Sequence, residues 1–156
     1  MITVVQRVRR ASVRVAGKPI GAIGRGLLLL VGVENGDDES DAVETARKVA
    51  ALRCFPGRTP MDRTVQEIEG ACLVVSQFTL AAELARGNRP SFTDAAPRES
   101  AEALYERVAA DLQARGIPVE KGRFGEEMAV DLENEGPVTF VLEVHNGRVV
   151  PRGREG

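Results

Sequence analysis

Over residues 2–33 apolar and polar positions change places with a period close to two. Val13 and Val15 share one face with Arg14 on the other, and "LLLLVGV" at 27–33 is a continuous apolar run of strand length. Alternation of this kind predicts half-buried strands, and the continuous run predicts a strand covered on both faces. Lys18-Pro19 falls near a turn, and Gly21, Gly24 and Gly26 lead into the apolar run. Glycines that cradle a dinucleotide follow a strand and open a helix. These glycines precede a strand, so they read as turns and bulges.

The period then lengthens. Asp37, Asp38, Glu39 and Asp41 mark a helix N-terminus, where carboxylates favour the dipole, and Ala42, Ala46, Val49 and Ala50 supply its apolar stripe. "FPGRTPMD" (55–62) reads as a Pro/Gly loop, "GACLVVSQFTL" (70–80) as a return to strand, and residues 83–97 as a second long loop. Long ordered loops in compact domains often carry function. Ala101, Leu104, Tyr105, Val108 and Leu112 follow i, i+3, i+4, i+7, i+11 spacing and predict a second helix. Pro97 suits its first turn, Asp94 is a candidate cap, and Gly116 with Pro118 closes it. Short strands are predicted around Val119, over 128–132 and over 138–144, with Gly136-Pro137 as a turn or lead-in to the last. Asn146-Gly147 is a hairpin turn signal, after which Val149-Val150 forms a short strand or the last ten residues fray.

The order is strands, helix, strand, helix, strands. It predicts an α/β fold in a single domain over 1–145, a mixed sheet or partial barrel with two main helices packed on it. Residues 146–156 read as a C-terminal extension, a short strand or flexible tail.

With 156 residues the chain is long enough to bury a substantial core, and its 43% hydrophobic and 28% charged composition is ordinary for a globular protein. No apolar run approaches the roughly 20 residues of a membrane helix. The first residues enter strand alternation directly and lack the shape of a signal peptide, so a cytoplasmic location is expected. Cys54 and Cys72 could pair, but buried free thiols suit their apolar contexts better. Neither has a CxxC or Cys/His neighbour, and no cluster at metal-ligand spacing appears, so neither a metal nor another cofactor is expected. A net charge of −2 gives no bulk basic signal, although arginines cluster in "QRVRRASVR" (6–14), in "RGNR" (86–89) and in the tail.

Ser76 and Thr79, at the end of an apolar strand, are the candidate chemistry. They read as a nucleophile, as a substrate-binding turn, or as hydroxyls satisfying strand-end backbone groups. A nucleophilic hydroxyl needs a base. No base stands nearby in sequence, and the lone histidine, His145, precedes a turn and is expected to be exposed.

"SQFTLAA" (76–82), "RGNRPSF" (86–92) and "NEGPVTF" (134–140), with "QRVRRASVRV" and "GAIGRGLLLLVGV" before them, together resemble the D-aminoacyl-tRNA deacylases, the D-tyrosyl-tRNA deacylase family. The resemblance covers residues 1 to about 144, and the tail from His145 runs beyond where many members end. It implies hydrolysis of the ester of D-aminoacyl-tRNA, in proofreading of translation, by a homodimer with its active site at the subunit interface. Carried onto this chain, it makes Ser76, Gln77, Phe78 and Thr79 the catalytic pocket. Gly136-Pro137 becomes a cis-peptide gate reaching into the other subunit's pocket, with Phe124 and Met128 flanking it and Arg7 buttressing it. The resemblance also implies that L-esters are rejected by sterics, that glycyl esters leak through, and that the RNA's own 2′-hydroxyl helps to activate water. Two other readings stay open: an RNA-binding dimer without catalysis, and an esterase with Thr79 as nucleophile.

Overall fold

The computed structural model describes residues 1–151, and its strands build one curled sheet with both helices on one face. Strand β1 (Ile2–Val15) is the spine. Along one edge it pairs antiparallel first with β3 (Gly26–Gly32) and then with β2 (Lys18–Ile23). Its other edge carries β6 (Ala129–His145). Beyond β3 the sheet turns parallel, through β4 (Ala71–Ser76) to β5 (Val119–Lys121). Helix α1 (Glu39–Ala51) makes the crossover from β3 to β4, and α2 (Arg98–Ala114) the one from β4 to β5. This mixed α/β architecture, with a curled half-barrel and two packed helices, is the one anticipated from the sequence.

Two apolar clusters lie on opposite faces of the sheet. One packs Leu27, Leu29 and Val74 against Ala46 and Val49 of α1 and Tyr105, Val108 and Leu112 of α2. The other gathers Val8, Val13, Leu28, Leu73 and Val75 inside the curl. Alternate residues of β3 and β4 therefore feed different cores, which is why both strands are almost wholly apolar. The curl closes where β2 meets the β4–β5 edge. A Cβ on Gly21 would stand 2.9 Å from the Lys121 carbonyl and 3.5 Å from Leu73, so only a residue without one permits that approach.

Helix α1 begins with a reciprocal cap: the Asp38 carboxylate accepts from Ser40 N, and Asp41 accepts from Asp38 N. Asp41 also accepts from Gly147 N at 2.9 Å, which ties the helix to the turn after β6. Strand β7 (Arg148–Val149) returns on β6 as the Asn-Gly turn predicts, and residues 152–156 of the tail lie outside the described residues. Cys54 and Cys72 are buried, unpaired thiols. Among the described residues no helix is long and apolar enough to cross a membrane.

Three expectations need correction. Residues 129–145 are one strand, where two short strands around a turn were expected; the Gly136-Pro137 peptide is cis and lies within it. The partner strand β1 pairs with both halves, with register shifts opposite residues 6–10, so the chain continues past the proline. The strand after Gly70 stops at Ser76, and a 3₁₀ turn (Phe78–Ala81) follows it. The cap of α2 is Pro97, not Asp94; Asp94 O instead accepts from Asn35 N in the loop. The first hairpin turns at Ala16-Gly17, both with positive φ, immediately before Lys18-Pro19 as expected.

Candidate active site

Strand β4 ends beside β3, where Gln77 N donates to the Val31 carbonyl at 2.8 Å. The 3₁₀ turn that follows places Ser76, Gln77 and Phe78 on a ridge between two clefts. The first cleft, of about 310 Å³, runs towards α2 and is walled by Ala95, Ala96, Tyr105 and Phe124. The second runs towards β6 and is lined by Val75, Met128, Glu126 and Glu127. Phe78 is 57% exposed, an unusual position for a large aromatic, and its ring meets Phe92 edge to face at 5.2 Å. The floor is firmer. Tyr105 Oη donates to the Val74 carbonyl at 2.9 Å, and burial pushes that phenol well above its usual range.

Thr79 stands at the start of the 3₁₀ turn, where the first amides of a helix have no acceptor within it. Within the turn, Leu80 N donates to the Gln77 carbonyl. The Thr79 hydroxyl accepts a hydrogen bond from the Gln77 side-chain amide, which is a donor and cannot take a proton.

The structure thus brings Ser76, Gln77, Phe78, Phe124 and Met128 together around one ridge. Arg7, Gly136 and Pro137 stand elsewhere on the same chain. Gly136 lies between the Asn134–Val8 and Thr139–Gln6 pairs of β1 and β6, whereas the ridge lies level with the Val31–Thr3 pair. Four residues of strand separate them, roughly 13 Å. Around Gly136 the backbone is held from several directions. Arg7 Nε donates to the Glu135 carbonyl at 3.1 Å and Nη1 to the Cys54 carbonyl at 2.7 Å. Asn134 Nδ2 donates to the carbonyls of Arg7 and Val138, at 2.9 and 3.2 Å. The Glu135 carboxylate lies 3.7 Å from Arg7 and 3.8 Å from Arg25, which stacks over Phe55.

Two features escaped the sequence reading. Arg98, at the first turn of α2, enters the first cleft with its guanidinium 5.8 Å from the Phe124 ring. A helix that follows a parallel strand starts at that strand's carboxyl end, which was the available clue. The other is a cluster of Glu34, Asp37 and His145, three potential metal ligands joined only by the fold. The Met1 ammonium donates to both carboxylates, at 3.0 and 2.7 Å, so a cation already sits between them. Burial pushes the Asp37 carboxyl up against the ammonium's pull. His145 is 41% exposed beside this pair and lines neither cleft.

Comparison with known proteins places this geometry in a lineage. The family model described as D-Tyr-tRNA(Tyr) deacylase matches residues 4–143. The chain is 53% identical over 144 residues to a D-aminoacyl-tRNA deacylase of Anaeromyxobacter dehalogenans, covering 92% of this chain and 97% of that one. Against a protein of the same name from Ruegeria pomeroyi it is 50% identical over 145 residues, covering 92% and 100%. Among solved structures, the c-Myc DNA unwinding element binding protein superposes with a TM-score of 0.88 at 39% identity, covering 93% of this chain and 99% of that one. A probable eukaryotic D-amino acid tRNA deacylase shares the fold, with a TM-score of 0.75 at 18% identity over 90% of this chain and 97% of that one. The chain belongs to the D-Tyr-tRNA(Tyr) deacylase family, hydrolases that act on the ester bond of aminoacyl-tRNA.

Proposed function

We propose that this protein hydrolyses D-aminoacyl-tRNA on the Ser76–Thr79 ridge, as a homodimer in which each copy completes the other's site. The observation that carries this reading is the ridge itself, where Ser76, Gln77 and Phe78 border both clefts and Phe124 and Met128 form outer walls. An aminoacyl ester has two arms, a nucleoside and an amino acid, and a ridge between two clefts can hold its carbonyl. The free amides at the start of the 3₁₀ turn, those of Phe78 and Thr79, stabilise the oxyanion; losing one such donor costs around 3 kcal/mol in a barrier.

Gly136-Pro137 is the chiral gate, and it acts in the partner's site. Its separation from its own ridge favours that arrangement. The Gly136-Pro137 carbonyls, on a backbone that Arg7 and Asn134 brace through the neighbouring Glu135 and Val138 carbonyls, take the α-amino group and crowd the direction an L side chain would need. Glycine has nothing to clash, so glycyl-tRNA is also cleaved.

Water attacks with help from the terminal 2′-hydroxyl of the RNA. The engaged Thr79 hydroxyl supports this over a covalent route, because its neighbour Gln77 offers a donor and no base. Rates on matched D-, L- and glycyl-tRNA test the reading, with cleavage of the D- and glycyl-esters and sparing of L expected. Equal cleavage of D and L would remove the gate. A protein that binds tRNA yet cleaves none of the three would be the non-catalytic dimer. Thr79→Ala should keep near-wild-type turnover, whereas a trapped acyl-enzyme would establish Thr79 as the nucleophile. Replacing the terminal 2′-hydroxyl by hydrogen should slow cleavage by 10²-fold or more, the usual scale for losing proton-transfer help.

A further inference from the structure

The two clefts differ in charge. Arg98 is the one charged residue lining the cleft towards α2, and Glu126 and Glu127 are the charged residues lining the cleft towards β6. An aminoacyl-RNA end has a matching asymmetry, with phosphodiesters on one arm and an α-ammonium on the other. Among the described residues Arg98 makes no ion pair, and its aromatic neighbour Phe124 leaves the guanidinium's charge uncompensated. The loop that walls the same cleft adds two more exposed arginines. Glu83 and Ser91 pair across its neck, which puts the turn bearing Arg86 and Arg89 next to Phe92, the ring that packs on Phe78. Three of the four arginines of β1 differ in kind, since Arg7 and Arg9 face Glu135 and Glu133 and Arg14 is bonded to Asp131, which leaves Arg10 as the exposed one without an ion pair among the described residues.

We propose that the RNA strand reaches the ridge over the Arg86–Arg89 turn and the first turn of α2, with a phosphate of its 3′ end on Arg98 and upstream phosphates on Arg86 and Arg89. The acidic rim turns the strand away from β6 and faces the ammonium-bearing arm, an asymmetry that persists when Arg123, beside Phe124, is counted with Glu126 and Glu127. Planar guanidinium groups suit phosphate oxygens in pairs, and a neighbouring aromatic ring holds Arg98 in place without consuming its charge. This assignment rests on the deacylase reading above and adds the face by which the RNA arrives.

Two substrates separate the claims: D-aminoacyl-tRNA, and D-aminoacyl-adenosine, which has the ester and ribose but no phosphate. Arg98→Ala should raise KM for the tRNA substrate by on the order of tenfold, the scale of one charge-assisted contact, with kcat kept. Its effect on the adenosine substrate should be several-fold smaller, and Arg98→Lys should restore part of the loss. Binding of uncharged tRNA should lose about 0.7 from the slope of log K against log salt for each contact removed, in Arg98→Ala and again in Arg86→Ala and Arg89→Ala. Arg9→Ala and Arg14→Ala should keep the wild-type slope. An equal loss on both substrates, or slopes that change only in the β1 variants, overturns the track. Should the wild type cleave neither substrate, the deacylase reading fails, and the slopes for uncharged tRNA still decide the track.

Discussion

The ridge at Ser76–Thr79 and the segment at Gly136-Pro137 are held in opposite ways. The ridge is anchored at its base, by Gln77 N on the Val31 carbonyl and by Tyr105 beneath Val74, while its crest leaves Phe78 open to solvent. Around Gly136 the neighbouring carbonyls are gripped by Arg7 and Asn134, and the adjoining carboxylate lies between two guanidinium groups. On the proposed function the difference would suit two tasks: a surface that receives an RNA end and releases it must be open, whereas one that sorts mirror images must not give by even an ångström.

The largest way to break that contrast is Arg7→Ala. Arg7 is 8% exposed, and its removal strips donors from two carbonyls and a neighbour from Glu135. A loss of about 3 kcal/mol is expected in denaturant titration, together with a collapse of the D-to-L rate ratio. Retained selectivity in a destabilised variant would show that the grip serves the fold alone. Gly136→Ala comes next. A Cβ there would stand 2.8 Å from Asn134 Oδ1 and displace the amide that holds two carbonyls. About 1–2 kcal/mol and a lower D-to-L ratio are expected, read by the same titration and paired rate assays.

On the other side, Tyr105→Phe sharpens the comparison. It removes one buried hydrogen bond under the ridge, but the Val74 carbonyl keeps its bond from Gly122 N. About 1 kcal/mol of stability should go with selectivity untouched, measured by thermal melting and the D-to-L ratio. The smallest effect is in the acid limb of stability. Hydrogen bonds from Ser40 hold the Asp38 carboxyl below its ordinary 3.8, so its contribution is present above that value and is lost as pH falls through the lower folded one. Asp37, raised by burial, runs the other way: the folded state takes its proton first, and its contribution grows as pH falls through a value above 3.8. Melting points across the acid range should therefore fall less steeply in Asp38→Asn and more steeply in Asp37→Asn. Neither should alter the D-to-L ratio, because both groups lie at the start of α1.

The same contrast separates what was legible in the sequence from what was not. Helix α2 was readable because one face is buried, and Leu104, Tyr105, Val108 and Leu112 record that face at helical spacing. Strand β6 was readable at its two ends, over 128–132 and 138–144, but not between them, where residues 133–137 are exposed or only half buried and leave no alternation to read. Its proline then looked like a boundary. Ser76 and Thr79 stood out as hydroxyls at a strand end, whereas Gln77, Phe78 and Gly136-Pro137 gained roles only through resemblance to a family, and no periodicity marks them. No pattern marks Arg98, and the Glu34–Asp37–His145 group joins a histidine to two carboxylates more than a hundred positions away. Pattern reports which face is dry, and partners brought together by strand pairing leave no trace in it.

Cys72 offers a clock for motion in this molecule. It lies in β4, four residues before Ser76, is fully enclosed, and has its thiol pushed up to about 12 by burial. An alkylating reagent at neutral pH can reach it only when the parallel strip of β3, β4 and β5 parts. The labelling rate therefore measures how often the strand beneath the ridge opens, without any added probe. If an RNA end braces that strand, its presence should slow the clock.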